Sequence, residues 1–161
     1  MKYISTRSRE KEYNFGEVFL KGLADDGGLF IPKSIPRLSN DELTKLSKLN
    51  YKDLAREIIY LFSKDTITKD ELSSIIEKSY SKFSVKEVVK ITNINENSLL
   101  ELFHGPTLAF KDIAMQFIGN LYDHYLKDNN KKINIVVATS GDTGAAAIDA
   151  IKGKDKMNIF V

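Results

Sequence analysis

Two short loops of this sequence carry side chains that could do chemistry on a small molecule. In the first, Lys111 follows a Gly-Pro pair and enters the start of a predicted helix among apolar neighbours. A helix start and apolar surroundings both disfavour an ammonium ion and so favour the neutral amine that a Schiff base requires, whereas Asp112 acts in the opposite direction. A lone lysine is more often a solvated surface residue, so spacing alone leaves both interpretations open.

The second loop, Thr139–Gly144, lies between a predicted strand and a predicted helix. Its glycines allow a ligand close to the backbone, a helix start attracts anions, and the hydroxyls of Thr139, Ser140 and Thr143 add donors. The loop lacks the Lys-Ser/Thr pair of a Walker A loop and the GxGxxG dinucleotide fingerprint. It suits a carboxylate or phosphate, and an ordinary well-capped strand–helix turn is an equal alternative.

The two histidines and the absence of cysteine exclude several kinds of site. His104 precedes the Gly-Pro pair, where it could line a pocket or make a structural hydrogen bond. His104 and His124 are too far apart for metal-ligand spacing, so we predict no metal site. The sequence has no cysteine, which excludes disulfides, thiolate catalysis and cysteine-based metal centres.

Composition indicates a globular protein of one domain, or of one domain and a fragment. The chain has 161 residues, of which 42% are hydrophobic and 29% charged, and a formal net charge of +2. This balance gives no electrostatic indication of a nucleic-acid partner. The sequence shows neither a signal peptide nor an apolar run of membrane length, so we expect a cytoplasmic protein without a membrane partner.

The first half of the sequence is predicted to be mainly helical. Capping-box patterns begin at Asn14, Ser39 and Thr68, and apolar residues at helical spacing follow them. The first helix is expected to stop at the turn of residues 25–28, with a short extended segment at residues 29–32. We take residues 1–84 as a helical amino-terminal domain.

The second half alternates strands and helices. Strands are predicted at residues 87–91, 98–103, 133–138 and 157–161. One helix has an apolar face from Phe110 to Tyr125 with Thr107 as N-cap, and another spans residues 145–152 with Gly153 as C-cap. Strand, turn, helix and strand form a βαβ unit of an open α/β sheet. Because the sequence ends on an apolar strand whose neighbours are not yet made, we expect it to be the amino-terminal piece of a longer protein.

Four segments, in order along the chain, resemble the threonine synthase family of fold-type II pyridoxal-phosphate enzymes: residues 3–7, 22–32, 100–112 and 139–144. The third is similar to that family's cofactor-lysine segment, and the fourth to its substrate-side loop. The resemblance implies a three-layer open α/β sheet, of which residues 85–161 would be the first, incomplete part.

The resemblance also implies a reaction and the residues that serve it. Members of the family convert O-phospho-L-homoserine and water to L-threonine and phosphate, with the cofactor as electron sink. Lys111 would form the internal aldimine with pyridoxal 5'-phosphate and then carry protons. The implied cofactor-binding residues are Lys111, Asp142 and Phe110, and the implied substrate-binding residues are Thr139, Ser140, Gly141, Thr143, His104 and Arg7.

Parts of the family's site are expected beyond Val161, namely the glycine-rich loop for the cofactor phosphate and the group facing the pyridine nitrogen. We therefore predict that these 161 residues alone are inactive. Two alternatives stay open: a phospholyase that releases a 2-oxo acid, and a non-catalytic anion-binding module. Monomer and homodimer also both stay open.

Overall fold

The computed structural model describes residues 1–127 and 131–161, which form two compact units, residues 1–73 and 74–161. The structure is mixed α/β, as the sequence predicts. None of the helices in the described ranges is long and apolar enough to span a bilayer. The predicted boundary between residues 84 and 85 was inferred from element type and stays a prediction.

The first unit combines a small antiparallel sheet with helices. Its strands are β1 (Tyr3–Ser5) and β2 (Phe30–Pro32), which pair with Ile4 opposite Ile31. Its helices are α1 (Phe15–Lys21), α2 (Asn40–Leu46), α3 (Tyr51–Ser63) and the start of α4 (Lys69–Tyr80), which continues into the second unit.

Reciprocal capping starts three of these helices, as predicted. The Glu17 amide donates to the Asn14 side chain at 2.9 Å, and the Asn14 amide donates back to the Glu17 carboxylate at 2.8 Å. The same exchange links Ser39 with Glu42, and Thr68 with Glu71. These short polar side chains satisfy amides that have no partner within the helix, which fixes each starting residue.

The end of α1 differs from the prediction. The helix stops at Lys21, because Gly22 adopts a left-handed conformation with φ 73° and caps it. Leu23, expected on the helix face, lies outside the helix and is 58% exposed. Residues 25–28 instead form a turn that leads into β2.

The second unit contains a hairpin and a βαβ unit. Strands β3 (Lys90–Ile94) and β4 (Asn97–Glu101) pair antiparallel, and helix α5 (Asp112–Leu126) follows. Strands β5 (Ile133–Val136) and β6 (Met157–Phe160) pair in parallel through the crossover helix α6 (Asp142–Ile151). The predicted βαβ unit is confirmed.

Several predicted boundaries in this unit shift by one to three residues. Val88 is buried with φ 64°, which is incompatible with a strand, so β3 starts at Lys90 rather than at residue 87. Strand β4 covers residues 97–101 instead of 98–103, and β5 ends at Val136 instead of residue 138. Helix α6 begins at Asp142 rather than residue 145. Gly153, the predicted C-cap, follows one residue after the cap position with φ 79°.

Helices α5 and α6 pack closely through small residues. A Cβ on Gly119 would lie 2.6 Å from the carbonyl oxygen of Ala150, so only glycine fits there. Beyond this contact, Leu126, Ile151 and Met157 form a buried apolar cluster. This packing fixes the two helices, and the loops that precede them, relative to the β5–β6 pair.

Candidate active site

The two candidate loops precede the two packed helices. Gln116 of α5 donates to Asp149 of α6 at 2.6 Å, and further along α5 Asp123 lies 3.8 Å from Lys154, just after α6. Because the partner numbers rise together, α5 and α6 run in the same direction, and both start at one end of the pair. Helix α6 follows strand β5, so this end lies outside the carboxyl end of that strand. Open α/β sheets bind their ligands there.

Lys111 stands at the N-cap position of α5. Its backbone is helical, and its side chain makes no capping hydrogen bond. The Nζ atom lies 4.4 Å from the centroid of the Phe110 ring, within range of a cation–π contact. Phe110, predicted to lie on the helix face, precedes α5 and is 58% exposed. The amine and this ring are therefore presented together at the start of the helix.

Asp112, the first residue of α5, organises the loop that carries Lys111. Its carboxylate is fully buried and accepts hydrogen bonds from the Thr107 amide at 2.8 Å and from the Thr107 hydroxyl at 2.7 Å. The prediction that Thr107 is the N-cap of α5 is therefore wrong. Thr107 instead donates two hydrogen bonds to Asp112, the first residue of the helix. The N-cap lies four residues later, at Lys111, because residues 107–112 form a hydrogen-bonded loop instead of the first turn of the helix.

The loop of residues 139–144 is open to solvent except at its last residue, Gly144, which is buried. Thr139, Ser140, Gly141 and Asp142 are exposed, whereas Thr143 is half-buried. The Gly141 amide donates to the Thr139 hydroxyl at 3.3 Å, which closes the loop locally. Asp142 opens α6. The predicted ligand-binding hydroxyls therefore line an accessible turn at the start of a ten-residue helix.

His104 is held by its neighbours rather than projecting freely. Its Nε2 atom lies 2.8 Å from the Glu101 carboxylate, and Nδ1 lies 3.5 Å from the Ser84 hydroxyl. The Thr92 hydroxyl donates to the other oxygen of Glu101. The hydrogen bonds from Thr92 and then His104 lower the pKa of the Glu101 carboxyl. The imidazole thus links the end of the β3–β4 hairpin to the Gly105-Pro106 turn.

Arg7 belongs to the first unit, where a turn orients it. Its Nη1 donates to the Asp26 carbonyl oxygen at 3.1 Å. The Asp26 carboxylate accepts from the Gly28 amide and the Ser5 hydroxyl, both at 2.8 Å. These two donors, the amide first, lower the pKa of Asp26. The Arg7 side chain itself is exposed.

Sequence reasoning missed the roles of Asp112 and Glu101. The sequence predicts Asp112 only as a charge beside Lys111, and Glu101 only as part of a strand. A signal existed for Glu101, since it lies three residues before His104. Nothing in the local pattern indicates that Asp112 is buried. Within the described ranges, no group of three or more histidine, cysteine or acidic side chains could hold a metal ion.

Comparison with known proteins points to one family. Residues 2–80 match the family model "Threonine synthase N terminus". The chain is 42% identical to threonine synthase of Pseudomonas aeruginosa over its whole length, and 40% identical to a Xenopus laevis protein named threonine synthase-like 2. In each case it spans about a third of the relative, 34%.

A solved structure agrees with these sequence comparisons. The X-ray structure of PLP-bound threonine synthase from Brucella melitensis superposes with a TM-score of 0.93 at 38% identity, covering 99% of this chain and 35% of that one. The mixed α/β architecture of this chain therefore matches that structure along nearly its whole length. The chain belongs to the threonine synthase family and corresponds to the amino-terminal third of its members.

Proposed function

We propose that this chain supplies the lysine and the substrate-side loop of a cytoplasmic threonine synthase. The reaction converts O-phospho-L-homoserine and water to L-threonine and phosphate. The observation that carries the proposal is the shared direction of α5 and α6, which brings the start of the Lys111 helix and the loop of residues 139–144 to one end of the helix pair. An amine and an anion-binding turn at one edge suit a cofactor aldehyde and an amino-acid carboxylate.

Pyridoxal 5'-phosphate supplies the electron sink when it is bound, and the described residues fit part of that cofactor. Lys111 offers a primary amine for covalent attachment, Phe110 an exposed ring beside it, and Asp142 a carboxylate at the start of α6. We assign the cofactor phosphate and the pyridine nitrogen to residues outside this chain.

The chain's own residues then divide the remaining work. The Lys111 amine moves protons among neighbouring substrate carbons, since its flexible stem can reach several of them. Thr139, Ser140 and Thr143 donate to the substrate carboxylate, together with the Gly141 backbone. In the same proposal, His104 lies at the pocket edge and Arg7 binds the substrate phosphate.

The experiment is product analysis on the full-length protein reconstituted with pyridoxal phosphate. With O-phospho-L-homoserine, we expect threonine and phosphate in equal amounts. Lys111→Ala should abolish both products, whereas Lys152→Ala, an exposed lysine at the end of α6, should retain them. Phosphate release without threonine in the wild-type protein would contradict the synthase assignment. Residues 1–161 alone should form no threonine.

A phospholyase is the second candidate, because an amine beside the exposed Phe110 ring and a hydroxyl-rich turn at residues 139–144 would serve elimination of phosphate equally well. Both enzymes would use Lys111 and release phosphate, and they differ in whether water adds at Cβ. A 2-oxo acid and ammonia in place of threonine would establish the phospholyase. A protein in which Lys111→Ala leaves anion binding intact, and which forms no product, would be a binding module.

A further inference from the structure

The loop before Lys111 is built around a buried carboxylate. Asp112 has no exposed surface, and it accepts two hydrogen bonds from a single residue, Thr107. Burying a carboxylate is costly unless donors compensate for its lost hydration. Here a backbone amide and a hydroxyl supply that compensation, and they tie residue 107 to residue 112 across the segment that contains Lys111.

Two further features of the same loop accompany this carboxylate. A Cβ on Gly105 would lie 2.5 Å from Asp112 Oδ2, so the backbone of residue 105 packs directly against the carboxylate. Leu108 has φ 64°, a conformation that leucine rarely adopts, and its side chain is 71% exposed. Such a conformation persists only where the surrounding contacts determine it. Leu108 lies between residues 107 and 112, which those two hydrogen bonds join, and its amide donates to the Gly105 carbonyl oxygen at 3.2 Å.

The start of α5 differs from the capped helix starts of the first unit. There, the side chains of half-buried Asn14 and exposed Ser39 cap the helices they precede. Helix α5 has Lys111 at the corresponding position, with no side-chain capping bond. Lys111 therefore occupies the cap position without capping the helix. The next residue, Asp112, accepts hydrogen bonds from Thr107 of the preceding loop.

We propose that Asp112 is a positioning residue for Lys111. Its carboxylate, held by Thr107 and packed on Gly105, closes residues 105–112 into a rigid loop and fixes the point from which the Lys111 side chain extends. This inference rests on the proposed function, because it assigns Lys111 as the residue to be positioned. Misplacing a reacting group by about 1 Å can lower a rate by about a hundredfold, so a rigid start matters for this side chain.

The test compares Thr107→Val with Thr107→Ser in the full-length protein. Valine keeps the shape and the amide but removes the hydroxyl donor, whereas serine retains the donor. Each protein is mixed with pyridoxal phosphate and reduced with borohydride, and mass spectrometry measures the fraction modified at Lys111. We expect about a tenfold higher cofactor concentration for half-modification in Thr107→Val, a lower kcat with little change in KM, and wild-type behaviour in Thr107→Ser.

Two controls separate positioning from general damage. Hydrogen exchange of the cofactor-free protein should accelerate in residues 105–113 of Thr107→Val and stay unchanged in residues 139–146. Asp112→Asn can still accept from the Thr107 amide and donate to the Thr107 hydroxyl, so its borohydride modification should stay near the wild-type level. If Thr107→Val does not fold, Thr107→Ala, which also lacks the hydroxyl, is compared with Thr107→Ser in the same assays, and normal modification in both would overturn the positioning role.

The outcomes are distinguishable. A wild-type protein that takes up no cofactor at Lys111 would overturn the proposed function and this inference with it. Normal modification of the wild-type protein and of Thr107→Val, at an unchanged kcat, would overturn the positioning role alone. A folded Asp112→Asn protein that loses modification would also overturn it, because charge rather than loop geometry would then be the requirement.

Discussion

Two loops of this protein, one in each unit, are constructed in the same way around a carboxylate. In the first unit, Asp26 accepts from the Ser5 hydroxyl and the Gly28 amide. In the second, Asp112 accepts from the hydroxyl and the amide of Thr107. Each loop also contains a glycine whose missing side chain makes room for the carboxylate, and each holds the segment that bears a cationic candidate residue.

The two loops differ in solvent exposure. Asp26 is exposed, and water can replace a donor that is lost. Asp112 is fully buried, and water cannot. The same two kinds of donor, one amide and one hydroxyl, should therefore contribute unequally, because an unsatisfied buried acceptor costs far more than a solvated one. We therefore expect the loop at Lys111 to be the more rigid of the two.

Replacing the packed glycines should give the largest effect. Gly105→Ala forces a Cβ to within 2.5 Å of Asp112 Oδ2 in a buried loop, and we expect about 3 kcal/mol of destabilisation from overpacking. Gly28→Ala places a Cβ 2.2 Å from the hydroxyl oxygen of buried Ser5 and 2.9 Å from Asp26 Oδ1, so we expect a comparable loss of stability there. Denaturant unfolding of the full-length variants measures both. Gly141→Ala, with no atom within 4 Å of the new Cβ, is the control.

Removing one hydroxyl from each loop should rank second. Thr107→Val leaves one oxygen of a buried carboxylate without its donor, and we expect a loss of about 2 kcal/mol. Ser5→Ala should cost less, because water can reach Asp26. The same unfolding measurement applies, with Thr107→Ser as the matched variant that keeps the donor. Equal losses at residues 5 and 107 would contradict the proposed contrast in exposure.

Relieving the backbone conformation at Leu108 should have a smaller effect in the opposite direction. Leu108→Asn puts a residue that tolerates a left-handed conformation at φ 64°, and we expect a stabilisation below about 1 kcal/mol. Thermal unfolding checks this expectation. Leu99→Asn, an exposed leucine within strand β4, is the control and should not stabilise the protein.

Acid titration should reveal the smallest effect, at Asp26. Its pKa is lowered from 3.8 by the Gly28 amide and the Ser5 hydroxyl, so the ionised form stabilises the folded state. This contribution is fully present above the unfolded pKa and disappears as the pH falls through the lower folded pKa. Unfolding measured between about pH 6 and pH 2 should therefore show less loss of stability in Asp26→Asn than in the wild-type protein. An identical pH dependence would show that the turn does not favour the charged carboxylate.

Helix starts and element types could be predicted because their signals are local. Each capping box, at Asn14, Ser39 and Thr68, spans only four residues, and each occurs as predicted. Boundaries were less accurate wherever a single residue adopts a left-handed conformation, as at Gly22 and Val88. A glycine in the sequence indicates that a left-handed conformation is possible, whereas a valine does not.

The sequence by itself determined which residues could react and which elements surround them: Lys111 before a helix, the hydroxyl-rich turn at residues 139–144, and the βαβ order. Only the tertiary structure decided how they are held. The common direction of α5 and α6 depends on contacts such as Gly119 with Ala150, which are 31 residues apart. The burial of Asp112 depends on the loop folding back on itself. Local spacing records propensity and periodicity, whereas burial and register come from residues distant in sequence, and these turn a candidate lysine into a positioned one.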